Sequence, residues 1–364
     1  MKLVLLGDGQ SPHLLKWARA LAAQRPALQL YAASSRDFAP DFQFLIPESR
    51  RLALNTSPQH AGGNLSVLMQ LPRLAAWLAR VDADWIHAHY LTSHGTLAWV
   101  AKQGWRLRGQ IVGSAWGSDI LVTPQQGWGY AWVTRKVLQA CALTTSDSEH
   151  MSARMRELGA GEVMTFPFGL EQLPRQSARK DPALFFANRG LEPIYRPQRV
   201  ITVFAALAAQ LPQARLVVAN DGSLREALQQ QCAQLGLAQR VSFVGRLDAA
   251  SQARHYAQAR WYLSLPESDS VSVSVLEAMA HECLPLLSDL PANHELLGPD
   301  RSGLILREDE DLNALAARLQ QLAPDADAAD AAGARNRAWV ADNALFAPAV
   351  QRFVARLHSL SPAA

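Results

Sequence analysis

Short apolar runs of four to six residues alternate with longer amphipathic segments along most of this chain, and the series runs through twice. In the first half the runs Leu3–Leu6, Leu28–Ala32, Trp85–Ala88, Ile111–Ala115 and Leu143–Ser146 read as strands. Between them, Leu14–Ala23, Leu65–Leu78, Gly95–Lys102 and Gly127–Leu138 read as helices. A further helix is led by Ser148, with a capping box expected to be closed by a residue downstream. Strands of this length alternating with helices predict a parallel α/β sheet. The pattern then breaks at LEQLPRQSARKDP, Leu170–Pro182, which is polar, flanked by prolines and without period. It restarts with strands Ala183–Ala187, Arg215–Ala219, Val241–Val244, Trp261–Leu265 and Leu284–Leu287, and helices Gln198–Leu207, Leu224–Leu235 and Ala249–Ala257. The tail, Leu312–Leu322, Ala331–Val340 and Leu345–Leu357, has helical spacing only. Two doubly wound units are predicted, each with its ligand beyond the carboxyl ends of the strands.

A chain of 364 residues is long for one core, which agrees with two domains. The expected boundaries are 1–170, a linker at 171–182, a second domain at 183–340 and a terminal helix at 341–364. No apolar stretch approaches the roughly 18 residues of a membrane span. The start, MKLVLLGDGQ, is too short for a signal peptide and fits a buried first strand. Three scattered cysteines, Cys141, Cys232 and Cys283, point to a reducing, cytoplasmic setting without a disulfide or zinc framework. The net charge of +3 is unevenly held. Residues 1–180 carry 19 Lys and Arg against 12 Asp and Glu, and the remainder 16 against 20, so +7 stands against −4. A basic first half suits an anionic partner, a bilayer surface among them, or is scattered solvated charge.

Candidate chemistry gathers where strands end. Gly7-Asp8-Gly9 follows the first strand and either lets a ligand approach the backbone or makes a plain βα turn. It lacks the third glycine of a dinucleotide fingerprint. Asn220-Asp221-Gly222 is ordinary turn chemistry. His87 and His89 alternate along a strand and share one face. A metal would need a third ligand that is not near in sequence, so a hydrogen-bonding pair at a cleft or simple packing is expected. In Ser114-Ala-Trp116-Gly-Ser118-Asp119, Trp116 is either a sugar platform or a core residue. Arg189 and Arg196 flank GLEPIY after the first strand of the second half, where two guanidiniums can clamp a diphosphate.

The most distinctive stretch is WYLSLPESDSVSVSVLEAMAHECLPLLSD. It reads as a strand, a serine-rich loop, a helix opening near Leu276 and a second strand. Such an arrangement offers backbone N–H groups to an anion. By period alone, Ser270–Val275 would instead be a half-buried strand. Asp269 and Glu277 bracket the loop, either as reactive acids or as solvated ones.

Asp269, Glu277-Ala-Met-Ala280 and the proline that follows resemble the nucleotide-sugar loop of retaining glycosyltransferases of family 4. NDGSLREAL, LGLAQRVSFVG and WGSDI extend the resemblance over almost the whole chain. It implies a GT-B fold, α/β, in which two Rossmann-like domains face each other across a cleft and a C-terminal helix crosses back to the first. It also implies roles. Glu277 would accept from the ribose hydroxyls, and Asp269 would contact the donor sugar. Backbone N–H groups around Ser272, Val273 and Ser274 would hold the diphosphate with Arg189. Arg196 would substitute for a lysine that falls on Ile194. Arg246 and Leu247 would lie beside the base, and Gly7 and Gly9 close to the transferred phosphate. The acceptor would dock near Ser11, His13, His89, Trp116 and Asp119.

The implied function is retaining transfer of a sugar from a UDP- or GDP-sugar to a sugar, lipid-linked or protein acceptor, in surface glycan, glycolipid or glycoprotein synthesis. No cofactor, metal or nucleic acid is implied, and a peripheral contact with the inner membrane face is compatible with the basic first half. Three positions depart from the family: Trp116 where histidine is common, Asp269 for glutamate and Glu282 for glycine. The first two motivate a non-catalytic GT-B binding subunit as an alternative, and another GT-B enzyme, a nucleotide-sugar 2-epimerase, is a second. A phosphorylase is disfavoured, because the second half offers only Lys180 near its border as a pyridoxal lysine.

Overall fold

The computed structural model describes residues 1–24, 28–56, 65–175, 179–299 and 301–361. It divides into two compact units: residues up to Phe166 together with the segment from Phe346, and Pro167–Leu345.

The first unit is built on seven parallel strands: β1 Lys2–Gly7, β2 Gln29–Ser34, β3 Arg51–Ala53, β4 Trp85–His89, β5 Gln110–Ser114, β6 Cys141–Ser146 and β7 Val163–Thr165. Their order across the sheet is β3-β2-β1-β4-β5-β6-β7. β1 lies between β2 and β4, with Leu3 opposite Leu30 on one side and Trp85 on the other. Leu3, Val4, Leu5 and Leu6 are all fully buried. A parallel strand covered by helices on both faces reads as a continuous apolar run, which is why it stood out in the sequence.

The second unit repeats the plan with six parallel strands: β8 Asp181–Ala187, β9 Arg215–Ala219, β10 Val241–Gly245, β11 Ala259–Ser264, β12 Leu284–Ser288 and β13 Leu304–Leu306. Their order is β10-β9-β8-β11-β12-β13. In both units the winding reverses beside the first strand, at β1/β4 and at β8/β11. Loops after those strands are where a doubly wound sheet leaves room for a ligand.

Several expectations change. The three-residue strands β3, β7 and β13 were not anticipated, because a run so short has no period and exists only through its pairing. The expected Leu65–Leu78 helix is two, Leu65–Met69 and Leu71–Val81, with Pro72 in the first turn of the second. Proline there removes an N–H that a continuous helix would need. Ser148 Oγ accepts from the Met151 amide at 3.1 Å, but the third position is Met151 itself, which has no group to return, so the box is half made. The stretch expected as a linker belongs to the second unit. Arg337 donates to Pro174 O at 2.6 Å, Lys180 is 5% exposed and donates to Tyr256 O at 2.6 Å, and Asp181 already opens β8.

The last helix, Phe346–Leu360, belongs to the first unit. Trp17, fully buried, packs edge-on against Phe346 and Phe353, with ring centroids 5.0 and 5.1 Å away. Arg356 pairs with Glu162, and Trp85 Nε1 donates to Ser361 Oγ at 3.2 Å. The handover therefore falls at Phe346, not at the expected 341. Among the described residues no helix is long and apolar enough to cross a membrane.

The same core holds His87 at 4.7 Å from Trp17, and burial lowers the His87 pKa to about 3. His94 is likewise lowered to about 4 by burial. Between pH 6.5 and about 4 the unfolded chain takes up protons that these folded imidazoles refuse. Stability is therefore full above pH 6.5 and falls on acidification, by up to about 1.4 kcal/mol per pH unit for each such histidine. Denaturant titrations from pH 7 to pH 4.5 should show this decline, and His87→Gln should flatten part of it.

Candidate functional site

β8 ends at Ala187, and Asn188 and Arg189 follow at its carboxyl end. β11 ends at Ser264 and leads through the serine-rich loop into the Val273–Ala280 helix. That helix opens at Val273, three residues before the expected start, and Ser270–Val275 is not a strand. The first turn of an α-helix leaves N–H groups without intrahelical acceptors, so Val273 and Ser274 present theirs at this end. The N-cap residue Ser272 does not cap with its side chain. Its hydroxyl takes a hydrogen bond from Arg189 Nη1 and lies 2.8 Å from Ser274 Oγ. Arg189 is thus fixed at the helix start, and its other partners complete the arrangement. Nη2 is 2.8 Å from Asp269 Oδ2, and the guanidinium lies 4.4 Å over the Tyr195 ring. Burial pushes the Asp269 carboxyl up from its ordinary value while Arg189 opposes that rise.

One turn into the helix, Glu277 Oε2 accepts from Gln252 Nε2 and Tyr256 Oη, both at 3.0 Å. Tyr256 is buried, also lies 3.1 Å from Ser274 O, and accepts from Asn188 Nδ2 at 2.8 Å. Asn188 Oδ1 in turn accepts from Tyr262 Oη at 2.7 Å. Glu277 and the helix start are therefore oriented by a buried polar chain that reaches β8 and β11. Asn188, Gln252, Tyr256 and Tyr262 were missed in the sequence. Only the place of Asn188 at a strand end, beside Arg189, signalled any of them.

Arg196 does not join this cluster. It has a left-handed backbone, φ 46°, and forks onto Glu308 at 2.5 and 2.9 Å, where Arg199 also binds. The expected two-arginine clamp is one arginine, because Glu308 holds the other. Arg246 is exposed beyond β10, and Leu247 is half-buried against the cluster that contains Val275 and Leu276. Glu282 takes φ 65° just after the helix, a conformation glycine enters freely. That explains why the resembling family favours glycine there. Its carboxylate lies 3.8 Å from Arg337.

In the first unit the candidate residues meet at the ends of β1, β4 and β5. Ser11 Oγ caps the Pro12–Ala22 helix by accepting from the His13 amide at 3.3 Å. The His13 ring lies 4.5 Å from Trp116, and the rings of Tyr90 and His89 each lie 6.0 Å from it. Tyr90 adopts φ 65° and opens a π-helical turn, Tyr90–Gly95. His87 Nε2 is 2.7 Å from Ser114 Oγ. His89 is 2% exposed, and neither ring nitrogen has a hydrogen-bond partner among the described residues. Among those residues no three His, Cys, Asp or Glu are grouped to hold a metal ion.

Two expectations are corrected here. Asp119 is 1% exposed and cannot face an acceptor: its oxygens accept from the amides of Leu91 at 2.8 Å and Trp116 at 2.9 Å. Burial raises its pKa to about 6 against those amides. It ties the Tyr90 turn to the Trp116 loop. Gly9 gives its amide to Ser34 Oγ at 2.8 Å, and a Cβ there would stand 2.7 Å from Asp37 O. The close approach that Gly9 permits is to its own unit.

The profile for glycosyl transferases group 1 matches residues 171–339, and that for glycosyl transferase 4-like proteins matches residues 2–148. The chain belongs to the group 1 glycosyltransferases, with their two-domain α/β GT-B fold. A search of curated proteins gives no match. Solved structures similar to it include sucrose-phosphate synthase from Thermosynechococcus elongatus, at 18% identity and a TM-score of 0.79, covering 99% of this chain and 100% of that one. Anabaena HepE in complex with UDP and glucose matches at 17% identity and 0.76, over 99% and 100%. The lipopolysaccharide outer core galactosyltransferase WaaB matches at 13% and 0.69, over 98% and 99%. The family makes this chain a glycosyltransferase.

If Asp119 ties the two loops as described, Asp119→Ala should cost about 2–4 kcal/mol, since it strands a buried amide and removes two charge-assisted bonds. Asp119→Asn, which keeps one acceptor oxygen, should lose less. Urea denaturation of the two variants checks both expectations.

Proposed function

We propose that the protein transfers a sugar, with retention of its anomeric configuration and without a metal, from a UDP-sugar to an acceptor bound on the first unit. The observation that carries this reading is the cluster at the start of the Val273–Ala280 helix: a fixed guanidinium, open backbone N–H groups and a carboxylate one turn on. A diphosphate leaving group gathers negative charge as its bond to the sugar breaks. Preorganised donors aimed at that charge are the largest usual source of rate enhancement. Arg189 and the helix start supply them with no metal required. Glu277, held by Tyr256 and Gln252, is a ready acceptor for two ribose hydroxyls. Asp269 would take donor-sugar hydroxyls, and its shorter side chain would place that sugar differently from glutamate. Uridine is favoured over guanosine because structures similar to this chain hold UDP, UDP with glucose, or UDP-glucose.

In the reaction the bond from the anomeric carbon to the β-phosphate oxygen breaks. A bond from the same face of that carbon to an acceptor oxygen forms, and the acceptor's proton passes to the departing phosphate. His13 and Trp116, half-buried with rings 4.5 Å apart, would line the acceptor side, with His89 buried behind them. The product would serve a surface glycan, glycolipid or glycoprotein, a reading supported by the likeness to a lipopolysaccharide core transferase.

Glu277→Gln should weaken UDP binding by about tenfold or more, the value of hydrogen bonds to a charged acceptor, with little change in melting temperature. Calorimetric titration measures this, and unchanged affinity would remove the ribose role. With an α-linked UDP-sugar, turnover should survive EDTA and give an α-linked product by NMR. A β-linked product would overturn retention.

A further inference from the structure

The Trp128–Ala140 helix of the first unit turns its large aromatic side chains outward. Trp128 is 87% exposed, and Tyr130 and Trp132 are each 48% exposed, while Thr134, Val137 and Leu138 are buried on the other side. Trp128, Trp132, Arg135, Lys136 and Gln139 follow helical spacing, so they share one outward stripe. Trp99 of the Thr96–Trp105 helix packs edge-on against Trp132 at 6.1 Å, and Lys136 Nζ lies 6.0 Å over the Trp132 ring. Large aromatics gathered at a surface mark an interaction site.

Charge selects the partner. From Trp85 to Ser146 the chain has five cations, Lys102, Arg106, Arg108, Arg135 and Lys136, and one carboxylate, Asp119. Asp119 is 1% exposed, so nothing in this stretch shows a negative side chain to solvent; Arg108 pairs with Asp82 and Asp84 just before it, and Arg135 and Lys136 carry the charge beside the tryptophans. Tryptophan and tyrosine settle at the level of lipid headgroups, and nearby Lys and Arg add attraction to anionic lipid. A protein partner of ordinary composition would draw on the aromatics but would not call for the exclusion of carboxylates over so long a stretch.

We propose that this face docks on an anionic phospholipid surface, and that the acceptor of the transfer is accordingly lipid-anchored. The second part rests on the transferase reading above. It is supported by position within the unit. The Trp116 loop runs directly through Ser118–Leu121 and Thr123–Gln126 into the aromatic helix, and the Tyr90–Gly95 turn packs on that helix as well. An acceptor headgroup held in the bilayer surface would then lie beside His13 and Trp116, with its lipid tail left in the membrane.

The test is flotation of the full chain with vesicles of phosphatidylcholine alone or mixed with phosphatidylglycerol. The protein should float with the mixed vesicles at low salt, be released by high salt, and stay behind with phosphatidylcholine alone. Trp128→Ser with Trp132→Ser should abolish flotation, and Arg135→Glu with Lys136→Glu should weaken it by about thirtyfold or more. UDP affinity and melting temperature should be unchanged in both variants, because these side chains are exposed and lie in the other unit from the donor cluster. No flotation of the wild-type chain, or equal flotation of both variants, would overturn the proposal. So would a dimer that the tryptophan variants break while no vesicle is bound, since the face would then join two copies of this chain. Flotation without any UDP binding would keep the docking surface and remove the transferase reading beneath it.

Discussion

Both units depend on one constraint: a parallel sheet must be covered on both faces. Helices have to return over each face between strands, so every crossover delivers its loop to the same edge of the sheet. β1 and β8, the first strand of each unit, are flanked on either side by strands reached in opposite winding directions. The residues after β1, β4 and β5 in one unit, and after β8 and β11 in the other, are gathered by that geometry alone. Function is then a matter of which side chains stand at those ends.

In the second unit they form a charge arrangement that supports itself. A half-buried guanidinium such as Arg189 needs hydrogen-bond partners, and Asp269, Ser272 and Ser274 provide them. Ser272 and Ser274 are thus ligands of the arginine as well as spacers. Their hydroxyls fix its position at the cost of the helix cap that Ser272 would otherwise make. Glu277 takes its hydrogen bonds from Gln252 and Tyr256, and Tyr256 also reaches Ser274 O, so one buried chain ties the carboxylate to the helix start where Arg189 sits. Such fixed donors and acceptors need little rearrangement when a ligand's charge changes, which is what electrostatic stabilisation requires.

The first unit spends its polar groups differently. His87 packs against Trp17 as a core residue, Asp119 binds two loop amides, and Gly9 accommodates its own chain. His13, His89 and Trp116 lie against one another at the ends of β1, β4 and β5. Near them the outward tryptophans of the Trp128–Ala140 helix are the part of this unit least explained by its own folding.

Much of this was written in the chain itself. Apolar runs marked ten of the strands, since burial on both faces leaves a continuous signature that no partner has to complete. Arg189, Asp269 and Glu277 were legible because each stands at a fixed offset from such a run. Their order and spacing were enough to place them at one edge of one sheet. What the sequence could not determine is how each polar group is spent. Arg196 is lost to Glu308, 112 residues away, and Asp119 to Leu91, 28 residues before it. Tyr256 reaches Glu277 and Asn188 from a helix with no motif of its own. Hydrogen bonds and ion pairs are made at a few ångströms between groups far apart in the chain. Only the tertiary structure, by bringing those groups within reach, decided which partner each candidate meets.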